Sequence, residues 1–396
     1  MSAGRANAGG HRCPVCGDGS QPLLELRAQP IYQHPVAADA VVPSPHVVDL
    51  RWVACAGCAH GWQPEFDATL LERIYRQHYY TPAPDGFAVQ FRDDFLATLQ
   101  TFGLMTPRKA LVEIGASNGD VLAEVRARTG AGHACAFEPD QRNAALARRR
   151  GLDVREQFFG AASAGDSARA ADIVYARHVI EHVFDFGDFF AGLDAIAAPG
   201  ADLVLETPGL DHHAGTTALN PFHIEHLHVF SLRSLAKLAL AHGWRLSRSA
   251  LTADGNLIAW FKRIDKEGSE AGALPPPPAI RGLQERLELH RSRMRGLLEH
   301  RRLVFWGAGS ASVRLASLIG RAPDHWTDGN PAKVGLKFVG YERAIVRPED
   351  ALAAATAEAD SEPVLVIASS FFREILPRVR QLGWRGDVLD LSGNRA

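Results

Sequence analysis

The chain has 396 residues, with 43 lysines and arginines against 45 aspartates and glutamates, and 46% of it is hydrophobic. That length suggests two or three domains at about 100–200 residues each, and the composition excludes a wholly disordered or collagen-like chain. A formal charge of −2 argues against a nonspecific nucleic-acid or anionic-membrane binder, and five cysteines are too few for a disulfide scaffold of this size. The opening MSAGRANAGG lacks the apolar core of a secretory signal. No stretch reaches the ~18 apolar residues of a membrane span, so the expectation is a cytoplasmic protein in a reducing compartment.

Residues 11–65 read as short, turn-rich segments carrying Cys13 and Cys16 in RCPVCGD and Cys55 and Cys58 in ACAGCAH. Two Cys-x-x-Cys pairs at this separation fit a zinc ribbon. Each pair turns tightly enough for both thiolates to face one ion, and four thiolates satisfy tetrahedral zinc with no open position. Such a zinc is structural and folds a segment too small to build its own core. A redox dithiol and unrelated free cysteines are the alternatives, and His60 is close enough to compete as a ligand. Residues 66–105 carry leucines and aromatics at helical spacing, in ATLLERIYRQHYY and around FRDDFLATLQTF.

Residues 109–263 alternate apolar runs of strand length with helical patterns, which implies a parallel sheet with crossover helices. Strands are expected at 110–114, 133–138, 171–177, 201–206, 244–249 and 256–262. With the preceding helices this gives one unit over 66–263. Cys135 falls in a buried strand and reads as a packing residue. In ALVEIGASNGDVLAEV a strand runs into Glu113-x-Gly115-x-x-x-Gly119 and then a helix. The glycines let the backbone turn sharply and approach a ligand. The next strand ends in Glu138, where an acid can accept hydrogen bonds from both hydroxyls of a ribose. A pyrophosphate site needs G-x-G-x-x-G instead. Negative charge from Asp120 repels a pyrophosphate but suits a sulfonium. The arrangement resembles the S-adenosylmethionine (SAM) loop of class I methyltransferases, with NAD binding and a ligand-free turn as alternatives. Asp172 opens DIVYARHVIEHV, which is similar to the fourth strand and following loop of that fold. Gln157 and Phe158 lie where an adenine edge and face are contacted, and Phe158 reads equally as core.

Residues 264–279, KEGSEAGALPPPPA and its flanks, form a proline-rich linker that favours a semi-rigid extended spacer. A basic amphipathic helix is expected at about 280–300, with Ile280, Leu283, Leu287, Met294 and Leu297 on one side. A second α/β pattern then completes a unit over 280–396: RLVFWGAGSASVRLASLIG reads as strand, glycine turn and helix, and PVLVIAS and DVLDLS as later strands. Ser312 stands where a dinucleotide fingerprint needs its third glycine, which argues against NAD. Backbone N–H groups at that helix start could still hold a diphosphate. Asp328, Asn330 and Lys333 are candidates for nucleotide contacts.

Taken together, the Cys-x-x-Cys pairs, the EIG…NG turn, FEPD, HVIEHV at 178–183, EHLHVFS at 225–231, WGAGS at 306–310 and TDGNPAKVGLKFVG at 327–340 resemble one family. It is the zinc-containing, class I SAM-dependent sugar C-methyltransferases of the TylC3 type. The resemblance implies a class I Rossmann-like core between an N-terminal zinc ribbon and a second Rossmann-like α/β domain. It also implies methylation of a nucleotide-linked 4-keto deoxysugar, in deoxysugar biosynthesis. Zinc would be held by Cys13, Cys16, Cys55 and Cys58. SAM would be held by Glu113, Gly115, Asn118, Gly119, Glu138, Pro139, Gln157, Phe158 and His178. The C-terminal domain would help bind the nucleotide. The family's Tyr-His-Glu-His segment reads His223-Ile224-Glu225-His226 here, so the family's base falls on His226, with Glu225 retained and His223 in place of tyrosine. His182 matches, and His178 replaces the usual asparagine.

Carbon methylation requires a base to remove a proton beside a carbonyl and a polar group to stabilise the enolate oxygen. Histidine suits the first task because its pKa lies near the working pH. His226, with Glu225, His182 and His223, can serve it. For a hydroxyl acceptor a single base is enough, so O-methylation of a sugar or other small natural product is the alternative. His212, His213 and His228 complete a five-histidine segment that also invites a metal reading. A zinc-ribbon RNA methyltransferase and a non-catalytic scaffold are the remaining classes. The first is opposed by the charge balance, the second by the intact Glu113…Gly119 turn and Glu138.

Overall fold

A computed structural model describes residues 11–78, 87–108, 110–164, 170–213, 221–264, 274, 276, 282–357, 362–369 and 372–396. In chain order its strands begin with β1 (Ser20–Pro30), β2 (Val47–Cys55), β3 (Gly61–Trp62), β4 (Ala110–Ile114), β5 (His133–Phe137) and β6 (Asp153–Arg155). There follow β7 (Ala171–Arg177), β8 (Ala197–Pro208), β9 (His228–Val229), β10 (Trp244–Leu251) and β11 (Asn256–Arg263). The last five are β12 (Arg302–Trp306), β13 (His325–Thr327), β14 (Ile345–Val346), β15 (Pro363–Ile367) and β16 (Asp387–Leu389).

The central sheet runs β10-β11-β8-β7-β4-β5-β6. Six of these strands run in the same direction, and β11 enters antiparallel between β8 and β10. Numbered along the chain from β4 as strand one, the order is 3-2-1-4-5-7-6 with strand seven reversed, the class I methyltransferase arrangement. β4 is buried at every position because helices cover both faces of the sheet. The switch point, where the strand order reverses, lies between β4 and β7, and ligands bind outside the carboxyl ends of the strands there. Asp172 is a structural residue at the far end: its Oδ2 accepts the Ala110 N–H at 2.9 Å and ties β7 to β4.

A second sheet, β14-β13-β12-β15-β16, is wholly parallel and forms the C-terminal α/β unit. The expected basic helix spans Leu283–Leu298 and buries Leu283, Leu287, Met294 and Leu298. Ile280 and most of the proline-rich linker lie outside the described residues.

The N-terminal segment departs from its sequence reading. Instead of short turn-rich pieces, β1 and β2 form a long antiparallel hairpin. Its Leu24, Leu26, Leu50 and Trp52 are buried. They share one apolar cluster with Phe222, Ile224 and Leu227 and with Val313 and Leu315 of the C-terminal helix Ser310–Ile319. The segment does have a core, but most of its partners are far away in sequence. The hairpin continues through β3 to β9, in the order β1-β2-β3-β9.

Candidate functional site

Four thiols converge at the start of the hairpin. The sulfurs of Cys13 and Cys58 stand 3.7 Å apart, those of Cys16 and Cys55 3.3 Å, and those of Cys16 and Cys58 3.6 Å. Four sulfurs about 2.3 Å from one tetrahedral ion stand roughly 3.8 Å apart, so this cluster could hold zinc with little movement. The hydrogen bond from Cys58 pulls the Cys13 thiol down to about 5, while the same bond pushes Cys58 up and burial pushes Cys16 up, so among these three one thiolate is favoured before any ion binds. His60 does not join them. Its Nε2 lies 3.1 Å from His228 Nδ1, and its ring stacks on Trp62. Cys135 is buried apart from the cluster, and burial pushes its thiol up.

The glycine turn lies at the carboxyl end of β4. Gly115 and Gly119 both have φ near the left-handed region, at 71° and 75°. A Cβ at Gly115 would come 2.4 Å from Val179 Cγ2, so only glycine lets the two loops approach here. Glu138 braces the turn: its carboxylate accepts the Ser117 N–H at 2.7 Å and the Asp140 N–H at 2.8 Å. Burial raises its carboxyl to about 7 against these two hydrogen bonds.

A cavity of about 340 Å³ opens beside this turn. Gly115, Glu138, Pro139, Gln157, Phe158, His178 and His182 all line it. Phe158 is 48% exposed, so it is a wall residue and not core. Glu113, Asn118 and Gly119 are not on the wall. Glu113 is buried beneath the turn, where burial raises its carboxyl above the usual range. Asn118 Oδ1 accepts the Asp120 N–H at 3.1 Å, and Gly119 packs against Ala147 and Leu152. These three shape the turn from behind. The Asp120 carboxylate faces Arg92 at 3.9 Å, so its charge is not aimed at the cavity as the sequence suggested.

The far wall holds His178 and His182, and a buried histidine cluster adjoins them. His178 follows β7 with φ 52°, and the short helical turn Ile180–His182 comes next. The loop before β9 packs onto it. His182 Nδ1 lies 2.7 Å from the Glu225 carbonyl and His226 Nδ1 2.9 Å from the Pro221 carbonyl. A carbonyl only accepts, so each Nδ1 carries the proton and each neutral ring has its lone pair on Nε2. The rings of His182 and His226 meet edge-on at 4.8 Å, and those of His223 and His226 lie 3.7 Å apart. Burial holds all three below the usual histidine range, so they are neutral near pH 7. Burial alone raises the Glu225 carboxyl to about 7.

Sequence reasoning passed over Glu181. It is fully buried, 3.3 Å from His178 Nδ1 and 3.9 Å from His226 Nε2. Burial works to raise its carboxyl, but its contacts with His178 and His182 prevail and hold it low, while His178 is held high. The signal was an acid between two histidines in HVIEHV. Of the other histidines, His228 turns to His60, and the His212 and His213 rings meet each other at 5.0 Å.

One buried cation reaches this cluster from the C-terminal unit. Arg314 is 4% exposed, has no acid beside it among the described residues, and acts electrostatically on His213, His223 and His226. Desolvation alone lowers it to about 10. The C-terminal glycine turn is different. Asp328 Oδ2 accepts the Ala308 N–H at 2.7 Å and pairs with Lys333 at 2.9 Å, and Asn330 donates its N–H to Asp328 Oδ1 at 2.8 Å. An internal carboxylate thus engages the turn where the sequence suggested a diphosphate.

Parts of the chain are similar to known proteins. Residues 88–248 match the family described as a methyltransferase domain. The central unit thus has the class I methyltransferase fold in its strand order and a methyltransferase-domain match over these residues. Over 146 residues the chain is 29% identical to the C-methyltransferase NovU of Streptomyces niveus, a stretch covering 34% of each protein. Among solved structures, it is similar to magnesium protoporphyrin IX methyltransferase (ChlM) from Synechocystis PCC 6803 with bound SAH. That match has 13% identity over 50% of this chain and 100% of that one, with a TM-score of 0.37. It is also similar to a DhpI–SAH complex, with 22% identity over 46% and 89% of the two chains and a TM-score of 0.35.

The loop carrying His223 and His226 is held from the ribbon side by one residue. Gln63 Nε2 donates to the carbonyls of His223, Ile224 and His226 at 3.2, 3.2 and 2.8 Å, and its backbone N–H donates to Leu227 at 2.9 Å. Gln63→Leu leaves those buried carbonyls without their donor, at a cost of about 1–3 kcal/mol. Hydrogen exchange should then speed up across 221–229 while β4 and β7 stay protected. Unchanged exchange in that loop would show that Gln63 does not hold it.

Proposed function

We propose that the chain is a SAM-dependent methyltransferase acting on a small anionic acceptor, a nucleotide-linked deoxysugar, with His226 as the base and a structural zinc on the four cysteines. The observation that carries the reading is the continuity of one cavity from Glu138 at the glycine turn to His178 and His182 beside the histidine cluster. The resemblance to the TylC3-type enzymes and the local similarity to NovU support carbon methylation within this reading.

The residues fit the cofactor. Glu138 is buried, its carboxyl is raised to about 7, and two ribose hydroxyls are the donors such a group needs. Gln157 and Phe158 would meet the adenine, and Gly115 admits the backbone close to the ligand. The chemistry that SAM supplies when bound is an electrophilic methyl on a sulfonium. The neutral Nε2 of His226 takes the proton beside the acceptor carbonyl, and Glu181 at 3.9 Å stabilises the imidazolium that forms. The electron pair left on carbon would then be placed to take the methyl that the cofactor supplies, as the bond from that methyl to sulfur breaks and SAH leaves. Arg314 offers a buried positive charge for the acceptor's phosphate.

Incubation with SAM and a panel of nucleotide sugars should add one methyl by mass. In deuterated water a C-methylated product should show exchange at the adjoining carbon. Methylation without exchange would favour the oxygen acceptor, and methylation of an unrelated compound alone would overturn the sugar assignment. His226→Ala should lower kcat by about 10²–10⁴ with SAH binding retained.

Two further outcomes follow. Ribose hydroxyls require the ionised form of Glu138, whose folded pKa is raised to about 7. SAH affinity should therefore be full above that value and fall below it, by up to about tenfold per pH unit. Titration calorimetry across this range reads it; Glu138→Gln should flatten the profile, and a flat profile in the unaltered protein would remove the assignment. Arg314→Gln should raise the acceptor KM at least about tenfold, the loss of a charged hydrogen bond. SAH affinity should not change. Thermal stability should hold or rise, because an unpaired buried charge is gone.

A further inference from the structure

Glu181 has two buried carboxylate oxygens, and neither has a well-directed hydrogen bond within the described residues. Its side chain is 1% exposed, so bulk solvent barely reaches either oxygen. A fully buried carboxylate ordinarily takes several donors. The ligand atoms of Glu181, His182 and His226 all lie within 4.8 Å of one another. Both imidazoles are also set as metal ligands usually are: Nδ1–H is directed at a backbone carbonyl, of Glu225 for His182 and of Pro221 for His226, which fixes the lone pair on Nε2.

We propose that Glu181, His182 and His226 form a second metal site, for a divalent transition ion, in the wall of the acceptor cavity and separate from the four cysteines. Two imidazoles and one carboxylate suit zinc, iron(II), cobalt(II) or nickel(II) better than magnesium or calcium, which prefer all-oxygen sites. Donors about 2.1 Å from one ion stand roughly 3.0–3.4 Å apart. Glu181 and His226 are now 3.9 Å apart, so the set closes by about an ångström or less between these two. Three protein ligands leave a position open, and His182 lines the cavity through which a small oxygen ligand would arrive. The ligand class is an acceptor carbonyl or hydroxyl oxygen, polarised by the ion. His178 Nδ1 lies 3.3 Å from the same carboxylate oxygen, Oε1, that His226 faces, and helps to orient the carboxylate.

This inference rests on the proposed function in one respect, that the cavity takes the methyl acceptor. It changes the part of His226, which on the ion is a ligand and not the base. The test uses the full chain and reads metal directly. After saturation with cobalt(II) and removal of excess, the protein should carry two equivalents. The cysteine site should show sulfur-to-cobalt charge transfer, and the second site only weaker visible bands. Glu181→Gln and His182→Gln should each reduce the content to one equivalent, weakening cobalt at the second site by at least about 100-fold. The charge-transfer band should persist and SAH should still bind, which shows that both variants are folded. One equivalent in the unaltered protein, or two in both variants, overturns the proposal. Two equivalents in a chain that does not bind SAH would leave the metal site standing and remove the methyltransferase reading instead.

Discussion

The pairing of two residues with two others sets the geometry on which the site depends. β3 joins β9 antiparallel, Gly61 opposite Val229 and Trp62 opposite His228. This short ladder carries the order of the cysteine cluster into the loop that bears the histidines. Cys55 ends β2, Cys58 follows it, and β3 begins only three residues later. Gln63 then takes three carbonyls of that loop. From the other side, Ser231 Oγ donates to the Cys58 carbonyl at 3.2 Å and Arg233 Nε to the Gly57 carbonyl at 3.3 Å. A metal on the four thiols would thus fix the second cysteine turn and, through it, both ends of the segment 223–233. A structural ion need not be catalytically indifferent: loops held this way keep side chains within the fraction of an ångström that proton transfer demands.

The same segment is enclosed by low-dielectric surroundings. Burial lowers His182, His223, His226 and His228, so none of them carries charge near neutral pH. Against this neutral set, charge is concentrated in a few places. Glu181 and His178 form one ion pair, Arg177 and Glu206 another at 2.5 Å, and Arg314 has no acid beside it among the described residues. A buried charge costs several kcal/mol unless a partner is supplied. A buried guanidinium with no acid beside it among the described residues suits an anion, and a buried carboxylate facing two imidazoles suits a cation. Both features concern charge balance, and neither depends on the exact acceptor.

Much of the fold was legible because its signals are local. β4 and β7 are mostly apolar runs, with Glu113 in the first and Asp172 and Arg177 in the second, and both match their expected limits of 110–114 and 171–177. The four cysteines announce their convergence by spacing alone. What escaped was non-local. β1 and β2 carry arginine, glutamine and proline among their leucines, and the face that makes them strands is covered by Phe222, Ile224 and the C-terminal helix. β9 is two residues long and has no periodicity to read. Glu181 lay in a motif already marked for its histidines, and only tertiary packing shows that an acid there is fully buried. Asp328 was marked as a nucleotide contact, yet its hydrogen bonds to the turn could not be seen from sequence.

These non-local contacts also bear on what a domain is in this molecule. The boundaries at 65 and 280 follow composition, but one apolar cluster runs from Leu24 and Trp52 through Phe222 to Val313 and Leu315. Trp52 meets Phe222 edge-on at 5.4 Å, one residue before His223. Arg314 belongs to the same helix turn as Val313 and Leu315. The hairpin therefore serves as the surface on which the histidine loop and the C-terminal helix are both seated. Apolar burial of this extent is worth about 25 cal/mol per Å² removed from water. It is non-directional, so it brings the parts together but does not align them. Alignment comes from the directional contacts at its edge: the β3–β9 ladder, the Gln63 amide and the histidine Nδ1 bonds. The hydrophobic cluster thus assembles three sequence units, and a few hydrogen bonds determine which side chains face the cavity.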